Sequence, residues 1–391
     1  MLGALAGVLT GCGSVLQGGG TLSAPDSSLP YSLTPPERAR RLRELVPRDA
    51  AEQAIEAARL TLGRSPRPIP LVRTAGLLPG HPLRIAGLRA QDDWREVRMQ
   101  ALAFRLSGDE VHARHAIAYL DGWTASYSPS FNPIDETQLP SILWGFDLLQ
   151  DILSAHLVAR VHAFAAGLAR GYLAEKPIVG DPSTETNNWQ SHRIKIGTSA
   201  AFACGDAEFV ARARHAFALH VMRNIRPDGN TLDFEERDGL HYTVYTLEPM
   251  IMAAACAAAH GHDWYGMPET EGRLTLALDW LKPYALGERQ HEEFVHTKAA
   301  FDRARAKAGV SDFIGLFKRE KARYLYWIAA QLDPRFKPVN DALSPPSAWA
   351  EAHQEWKETR SEETVGYPHS WVRALFSQTF RRPAPPESHW W

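Results

Sequence analysis

The chain has 391 residues, of which 45% are hydrophobic and 23% charged, so it is long enough for a substantial core and lies outside the composition of disordered proteins. Its formal net charge of −2 excludes binding to nucleic acid through a bulk positive field, and any attraction for a polyanion must come from a local groove. The chain has 12 tryptophans, which is a high number for this length. Packing between helices is the commoner role of a single tryptophan, and stacking on a sugar ring is the rarer one.

The first twelve residues are typical of a bacterial lipoprotein signal. Residues 1–11 are apolar and small, and Leu9-Thr10-Gly11-Cys12 resembles the lipobox, in which cleavage before the cysteine leaves a lipidated residue. The start of the chain lacks the positive charge that usually precedes such a run. The run is too short to span a bilayer. We therefore predict a signal segment at 1–12, a lipid anchor at Cys12 and a location in the bacterial cell envelope, as a periplasmic or outer-membrane lipoprotein.

Residues 13–36 are rich in glycine, proline and serine, which predicts a flexible tether. The following part, 37–391, is predicted to form one helical domain. Apolar residues at helical spacing, together with stop and start signals, predict helices over 49–62, 94–106, 110–127, 138–153, 157–173, 188–203, 206–224, 240–260, 271–286, 297–308 and 312–330. From about residue 334 the chain becomes rich in proline and tryptophan, which predicts an irregular segment wrapped over the surface.

Strand-like alternation is scarce, so the fold class is predicted to be all-α. Helix pairs with short turns and alanine-rich inner faces favour an incomplete α/α toroid, a barrel of helical hairpins around a central cleft. A helical solenoid is the competing architecture, but the sequence has no fixed repeat period. Cys204 and Cys256 lie in alanine-rich helical runs and are interpreted as inert thiols. No metal-binding spacing occurs, and no cofactor is predicted.

A first polar segment begins at Asn187-Asn188, where an asparagine pair opens a predicted helix. Polar residues continue inside the helix, which capping does not require. At helical spacing Asn188, His192 and Lys195 share one face, where amide, imidazole and ammonium groups are suited to binding a carboxylate. The alternative is that the asparagine is only a helix cap and that the histidine makes structural hydrogen bonds.

A second polar segment runs from Asp228 to Pro249. His241, Tyr245 and Glu248 fall together on one helical face, beside an apolar stripe. The proline is predicted either to kink this helix or to mark its true beginning.

Together these two segments resemble the alginate lyase superfamily. In that family an Asn-Asn-His element is followed some fifty residues later by an arginine and by a Leu-x-Tyr-x-x-Tyr element that leads into Leu-x-Pro. This chain has Asn187-Asn188-Trp189, Arg237, and Leu240-His241-Tyr242-Thr243-Val244-Tyr245-Thr246-Leu247-Glu248-Pro249 in the same order. Weaker matches extend the resemblance from about residue 90 to 310. It implies an α/α toroid that cleaves an acidic, uronate-containing exopolysaccharide by β-elimination, as a monomer and without a cofactor.

By position, Asn188 resembles the asparagine that helps to neutralise the uronate carboxylate, and Tyr245 the tyrosine that acts as acid and in addition as a candidate base. Trp189 occupies the place of the family's histidine and cannot take a proton, so His192 or His241 is hypothesised as the base. Arg237 or Arg193 would add positive charge for the enolate-like intermediate. The remaining residues predicted to bind substrate are Asn187, Trp189, Arg193, Lys195 and Tyr242.

Two other functions fit the same segments. A glycoside hydrolase on this toroid would need two carboxylates across the cleft, with Asp135 or Glu136 facing Asp233, Glu235 or Glu236. A non-catalytic polysaccharide-binding lipoprotein of the envelope would explain the tryptophan in place of the histidine. Product chemistry separates these alternatives from a lyase, because only elimination creates a new double bond.

Overall fold

The computed structural model describes residues 29–359 and 370–376, and helices are the main secondary structure of that part of the chain. The helices, in chain order from α1 to α16, are Pro36–Leu45, Arg48–Arg59, Pro82–Ser107, Glu110–Ser126, Pro140–Asp147, Ala155–Tyr172, Asn188–Cys204, Ala207–Asn224, Leu232–Arg237, Leu240–Ala259, Arg273–Ala285, Ala300–Lys307, Arg323–Leu332, Lys337–Leu343, Pro346–Thr359 and Ser370–Leu375. Extended pairing within the described residues is limited to two isolated bridges, Ile225 with Thr231 and Glu292 with Leu316. The predicted all-α class is confirmed.

Side-chain caps place the beginnings of several helices. Asp109, Ser154, Asn187 and Asp206 each accept a hydrogen bond from a backbone N–H in the first turn of α4, α6, α7 and α8. At the opposite ends of α3 and α7, Gly108 and Gly205 adopt the left-handed conformation that stops a helix. These signals are local, so the ends of α4, α6, α7 and α8 lie close to their predicted positions.

Helix α7 is the central element of the fold, because it packs against α6, α8, α10 and α5. Its residues from Ser191 to Ala203 are buried on every side, whereas a surface helix would bury one stripe. Residues at the beginning of α7 are therefore held in place by four neighbouring helices. Helix α10 begins at Leu240 and continues through Pro249, so the helix does not begin at the proline.

The end of the predicted tether is part of the folded domain. The backbone N–H groups of Ser32, Leu33 and Thr34 donate to the buried carboxylate of Asp147 at 2.7–2.9 Å. The side chain of Tyr31 also stacks on the ring of His260, with centroids 4.1 Å apart. The prediction of a flexible segment through residue 36 is therefore wrong for its last residues. Cys12 and the signal segment lie outside the described residues.

The segment after residue 334 is more regular than predicted, since it contains α14, α15 and α16. It returns to the surface of α2, where Arg373 pairs with Asp49 and His353 with Glu56. The predicted helix over 312–330 is instead two short 3₁₀ turns followed by α13. None of the described helices is both long and apolar enough to cross a membrane.

Candidate active site

A cleft of about 510 Å³ opens where the beginnings of α3, α7 and α10 meet α9 and α12. Its lining includes three arginines, two tyrosines, an asparagine, a histidine, an aspartate and a half-buried tryptophan: Arg84, Arg237, Arg305, Tyr242, Tyr245, Asn188, His241, Asp312 and Trp189. The cleft therefore brings together six of the residues predicted from the sequence in the two polar segments and adds two arginines that the sequence analysis did not single out.

The phenol oxygen of Tyr242 lies between two arginines of the cleft. Its oxygen accepts hydrogen bonds from Arg237 Nη2 at 2.7 Å and from Arg305 Nη1 at 3.0 Å. The guanidinium of Arg237 also lies over the Tyr242 ring, 3.8 Å from its centroid. Burial raises the pKa of Tyr242, and the two arginines oppose that rise. The same two cations would stabilise negative charge on this oxygen.

Arg237 is fixed by a carboxylate from another helix. It pairs with both oxygens of the fully buried Asp302 in α12, and Thr297 Oγ1 donates to the same carboxylate at 2.9 Å. Helix α9 ends directly after Arg237, because Asp238 adopts a left-handed φ of 48°. The backbone at the end of α9 and the carboxylate of α12 thus determine where the guanidinium points.

Asn188 is held by a buried acceptor behind the cleft. Its backbone N–H and its Nδ2 donate to Asp233 Oδ1 at 3.0 and 2.7 Å. Asn224 Nδ2 and Thr246 Oγ1 donate to the other oxygen of the same carboxylate. The described residues provide one acceptor for this amide nitrogen, which has two N–H groups. Asn187, in contrast, caps α7 and is not part of the cleft lining.

His241 lies in the cleft with its Nδ1 3.3 Å from Nζ of Lys321. Burial and the charge of Lys321 lower its pKa to about 4, so the imidazole is neutral near pH 7. His192 is not in the lining. It packs behind Tyr245 with ring centroids 4.3 Å apart, and burial holds its pKa well below the ordinary value. Burial also raises the pKa of Tyr245.

Two predicted substrate-binding cations serve other purposes. Arg193 donates to the carbonyl oxygens of Val179 and Thr184 at 2.7 and 2.6 Å, so it ties down the loop before α7. It lines a separate cavity of about 880 Å³ together with His220. Lys195 is buried and donates to the carbonyl oxygen of Thr137 at 2.8 Å. Neither residue lines the cleft, because Arg193 is engaged by the loop before α7 and Lys195 lies two turns farther along the helix than Asn188, where it is buried.

The carboxylates proposed for a hydrolase are not arranged across the cleft. Asp233 is the acceptor behind Asn188, and Asp135 accepts from the backbone of Thr74 and Ala75. Glu136 is buried under the hydroxyls of Tyr127 and Tyr172. Glu235 pairs on the surface with Arg226, and neither Glu235 nor Glu236 lines the cleft. The cleft as described thus lacks the two facing carboxylates that a hydrolase requires.

The residues that the sequence analysis missed are Arg84, Arg305, Lys321 and Asp302. Each lies in a segment whose charged residues are typical of a solvent-exposed surface. They meet the two polar segments only through contacts between residues distant in sequence, 63 positions apart for Arg305 and Tyr242 and 80 for Lys321 and His241. A signal exists at Phe301 and Arg305, which stand four residues apart at helical spacing and whose guanidinium lies 4.2 Å from the ring centroid.

The architecture is similar to that of solved alginate lyases. Alginate lyase A1-III from Sphingomonas species A1 matches with a TM-score of 0.53 and 16% identity, covering 91% of this chain and 99% of that one. A histidine-to-alanine variant of alginate lyase A1-III in its apo form matches with a TM-score of 0.54 and 16% identity, covering 92% and 97%. The same variant complexed with a tetrasaccharide matches with a TM-score of 0.53 and 15% identity over 92% and 97%. The predicted α/α toroid is thereby confirmed.

This toroid, with phenol, guanidinium and amide groups gathered in one cleft, defines a polysaccharide lyase. The family model described as "Alginate lyase" matches residues 45–291, which is more than half of the chain. The chain therefore belongs to the alginate lyase family. A comparison with curated proteins gives no match.

Proposed function

We propose that this lyase cleaves an acidic, uronate-containing polysaccharide by β-elimination in the described cleft. The observation that carries the proposal is the position of the Tyr242 oxygen between the guanidinium groups of Arg237 and Arg305. A phenol in such a place can lose and regain a proton while its anion stays stabilised.

The positive charge of the cleft supports an acidic substrate. Arg237 is balanced by Asp302, but Arg84 and Arg305 have no carboxylate partner among the described residues. Burial, and secondarily the charge of Arg305, lowers the pKa of Arg84, as expected for two cations that share one cleft. A uronate carboxylate would relieve this repulsion, whereas a neutral sugar would leave it in place.

In the proposed reaction the proton on C5 of the uronate is removed first. The second N–H of Asn188 and a cleft arginine bind the carboxylate and stabilise the enolate-like intermediate. The bond from C4 to the glycosidic oxygen then breaks, the double bond forms between C4 and C5, and the departing oxygen receives a proton. Electrons and protons balance without an external reagent.

Tyr242 is proposed to carry both proton transfers. As the phenolate it takes the C5 proton, and as the phenol it returns that proton to the leaving oxygen on the same face of the ring. This assignment replaces the pair of Tyr245 with His192 or His241 expected from the resemblance. Tyr245 has no cation on its hydroxyl among the described hydrogen bonds, and His192 is shielded behind it.

The test is absorbance near 235 nm while the purified chain is mixed with polymannuronate, polyguluronate, polyglucuronate and polygalacturonate, and with dextran as a neutral control. A rise with one uronate polymer, and none with dextran, is expected and would name the substrate class. New reducing ends on a flat trace would point to hydrolysis. Binding without cleavage would support the non-catalytic alternative. Either result would overturn the proposal.

We also propose that the chain is exported as a monomeric lipoprotein of the bacterial envelope, on the strength of the Leu9-Thr10-Gly11-Cys12 motif. Labelling with radioactive palmitate should mark the wild-type chain and not Cys12→Ser. Equal labelling of the two would contradict lipidation at this position.

A further inference from the structure

Lys321 approaches the cleft from the 3₁₀ turn Arg319–Ala322, a part of the chain beyond the family match at 45–291. Its Nζ donates to Asp312 Oδ1 at 2.7 Å and lies 3.3 Å from Nδ1 of His241. Only 23% of the lysine side chain is exposed. Asp312 and His241 both line the cleft, so the lysine joins two of its walls.

The chemistry of an ammonium group determines the state of the imidazole. An ammonium has three N–H donors and no lone pair, so in this contact Nδ1 of His241 must accept. A neutral imidazole that accepts at Nδ1 carries its proton on Nε2. No protein partner for Nε2 is found among the described residues. His241 therefore presents one N–H group that the fold does not use.

The surroundings of His241 keep it neutral. Arg237 and Arg305 add positive charge nearby, and together with burial and Lys321 they lower the pKa of the imidazole. Two carboxylates lie close to it. Asp312 is engaged by Lys321, whose hydrogen bond and charge outweigh burial and hold the pKa of Asp312 below its ordinary value. Glu293 accepts from the backbone N–H of His241 at 3.0 Å and not from the ring.

We infer that Lys321, held by Asp312, is a positioning residue that fixes His241 as a neutral Nε2–H donor for a carboxylate oxygen of the bound uronate. The inference rests on the proposed function for its ligand, but the tautomer is a property of the unliganded protein. It gives His241 a role in binding, where the sequence resemblance suggested a base.

The tautomer is measured by long-range ¹H–¹⁵N correlation spectra of the chain labelled at histidine nitrogens, with His241→Gln used to assign the signal. Wild type should show the Nε2–H pattern at pH 7, and the signal should not titrate between pH 8 and pH 5. Lys321→Met should mix the two tautomers and move the midpoint toward the ordinary value of about 6.5. Lys321→Arg, which also donates, should restore the wild-type pattern. Lys337→Met is the matched control, because Lys337 pairs on the surface with Asp341.

The functional readout uses the uronate polymer that wild type cleaves. Lys321→Met should raise KM about tenfold while kcat changes less than about threefold, because one hydrogen bond to a charged group is weakened. A wild-type Nδ1–H pattern, or an unchanged pattern in Lys321→Met, would overturn the inference. If the wild-type chain cleaves no uronate polymer, the proposed function is wrong. The tautomer measurement does not depend on cleavage, so the two failures are distinguishable.

Discussion

Arg237 of α9 and Asp302 of α12 are joined by two N–H···O bonds although 65 residues separate them in sequence. The same guanidinium donates to the oxygen of Tyr242, so the carboxylate of α12 indirectly places the positive charge beside the phenol. Hydrogen bonds through Asp302, Arg237 and Tyr242 therefore connect a buried ion pair with the surface of the cleft.

Asp302→Asn should therefore weaken both stability and activity. Removing one partner of a fully buried ion pair leaves the other charge uncompensated and lowers the free energy of unfolding by about 3–5 kcal/mol. The loss should be smaller here, because 18% of the Arg237 side chain is exposed. Urea unfolding measures the first effect and product formation at 235 nm the second. The control is Asp341→Asn in an exposed pair, where the change should stay below about 0.5 kcal/mol. Equal effects of the two substitutions would contradict this account.

Tyr242→Phe should reduce kcat by about 10²–10⁴-fold, the usual contribution of a positioned proton-transfer group. Tyr245→Phe should reduce it less than about tenfold, because its hydroxyl has no cationic partner. Single-turnover kinetics on the active polymer, with circular dichroism to verify folding, compares the two variants. A reversed order would return the acid role to Tyr245, as the sequence resemblance suggested.

The pH dependence of the reaction should rise toward alkaline pH. Burial holds the pKa of Tyr242 above its ordinary value of about 10, and the phenolate is the form that accepts the C5 proton. The active fraction should therefore grow about tenfold per pH unit below that pKa. The measurement is log(kcat/KM) between pH 7 and pH 9. A bell-shaped profile centred near neutrality would indicate a histidine base.

Trp189→Ala should raise KM for the polymer about 5- to 30-fold with little change in kcat, since a half-buried indole in a cleft offers a flat apolar face to a sugar ring. Trp189→Phe keeps an aromatic face and should retain most of the affinity. Initial-rate kinetics across a range of polymer concentrations separates the two parameters. A large loss of kcat in both variants would point to a role in the chemical step.

Acid should destabilise the fold through its buried histidines. Burial lowers the pKa of His220 to about 3 and of His241 and His260 to about 4, against about 6.5 in the unfolded chain. The unfolded state therefore binds more protons below pH 6.5, and the free energy of unfolding falls as the pH drops from 6.5 toward 4. At pH 5.5 the loss is about 1.4 kcal/mol for each histidine.

Urea unfolding at pH 7.5 and pH 5.5 checks this expectation. His220→Gln should lose about 1.4 kcal/mol less than wild type on acidification, because one titrating group is gone. His215→Gln, which removes an exposed histidine, is the control. An identical pH dependence in wild type and His220→Gln would contradict the assignment.

The sequence predicted the helices whose ends carry local signals. Asp109, Ser154, Asn187 and Asp206 are caps that act within one turn, so the helices they begin were located to within about two residues. The beginning of α3 was placed twelve residues too late, at Trp94 and not at Pro82. The N-terminal half of α3 contains Gln91, Asp92 and Asp93, which are buried. Because these buried residues are polar, this part of the sequence lacks the amphipathic pattern that predicts a helix.

The site was predictable only where its residues are close in sequence. Helix α10 carries His241, Tyr242 and Tyr245 within five residues, and α7 begins at Asn188. The helical spacing and the resemblance to the alginate lyase family therefore located all four residues. Arg193 and Lys195 share the α7 segment, but tertiary packing covers both side chains. No spacing rule distinguishes them from Asn188, since α7 is buried on all sides.

The family match ends at residue 291, and Asp302, Arg305, Asp312 and Lys321 all lie after it. The stretch before that point supplies Tyr242, Asn188 and Arg237. The stretch after it supplies the carboxylate that holds Arg237 and the further cations beside the phenol and the imidazole. Most of the charged groups that adjust the reacting groups thus lie in a separate, later part of the chain. Exchange of the later part between relatives would alter substrate preference and pH response without rebuilding the helices that carry the chemistry.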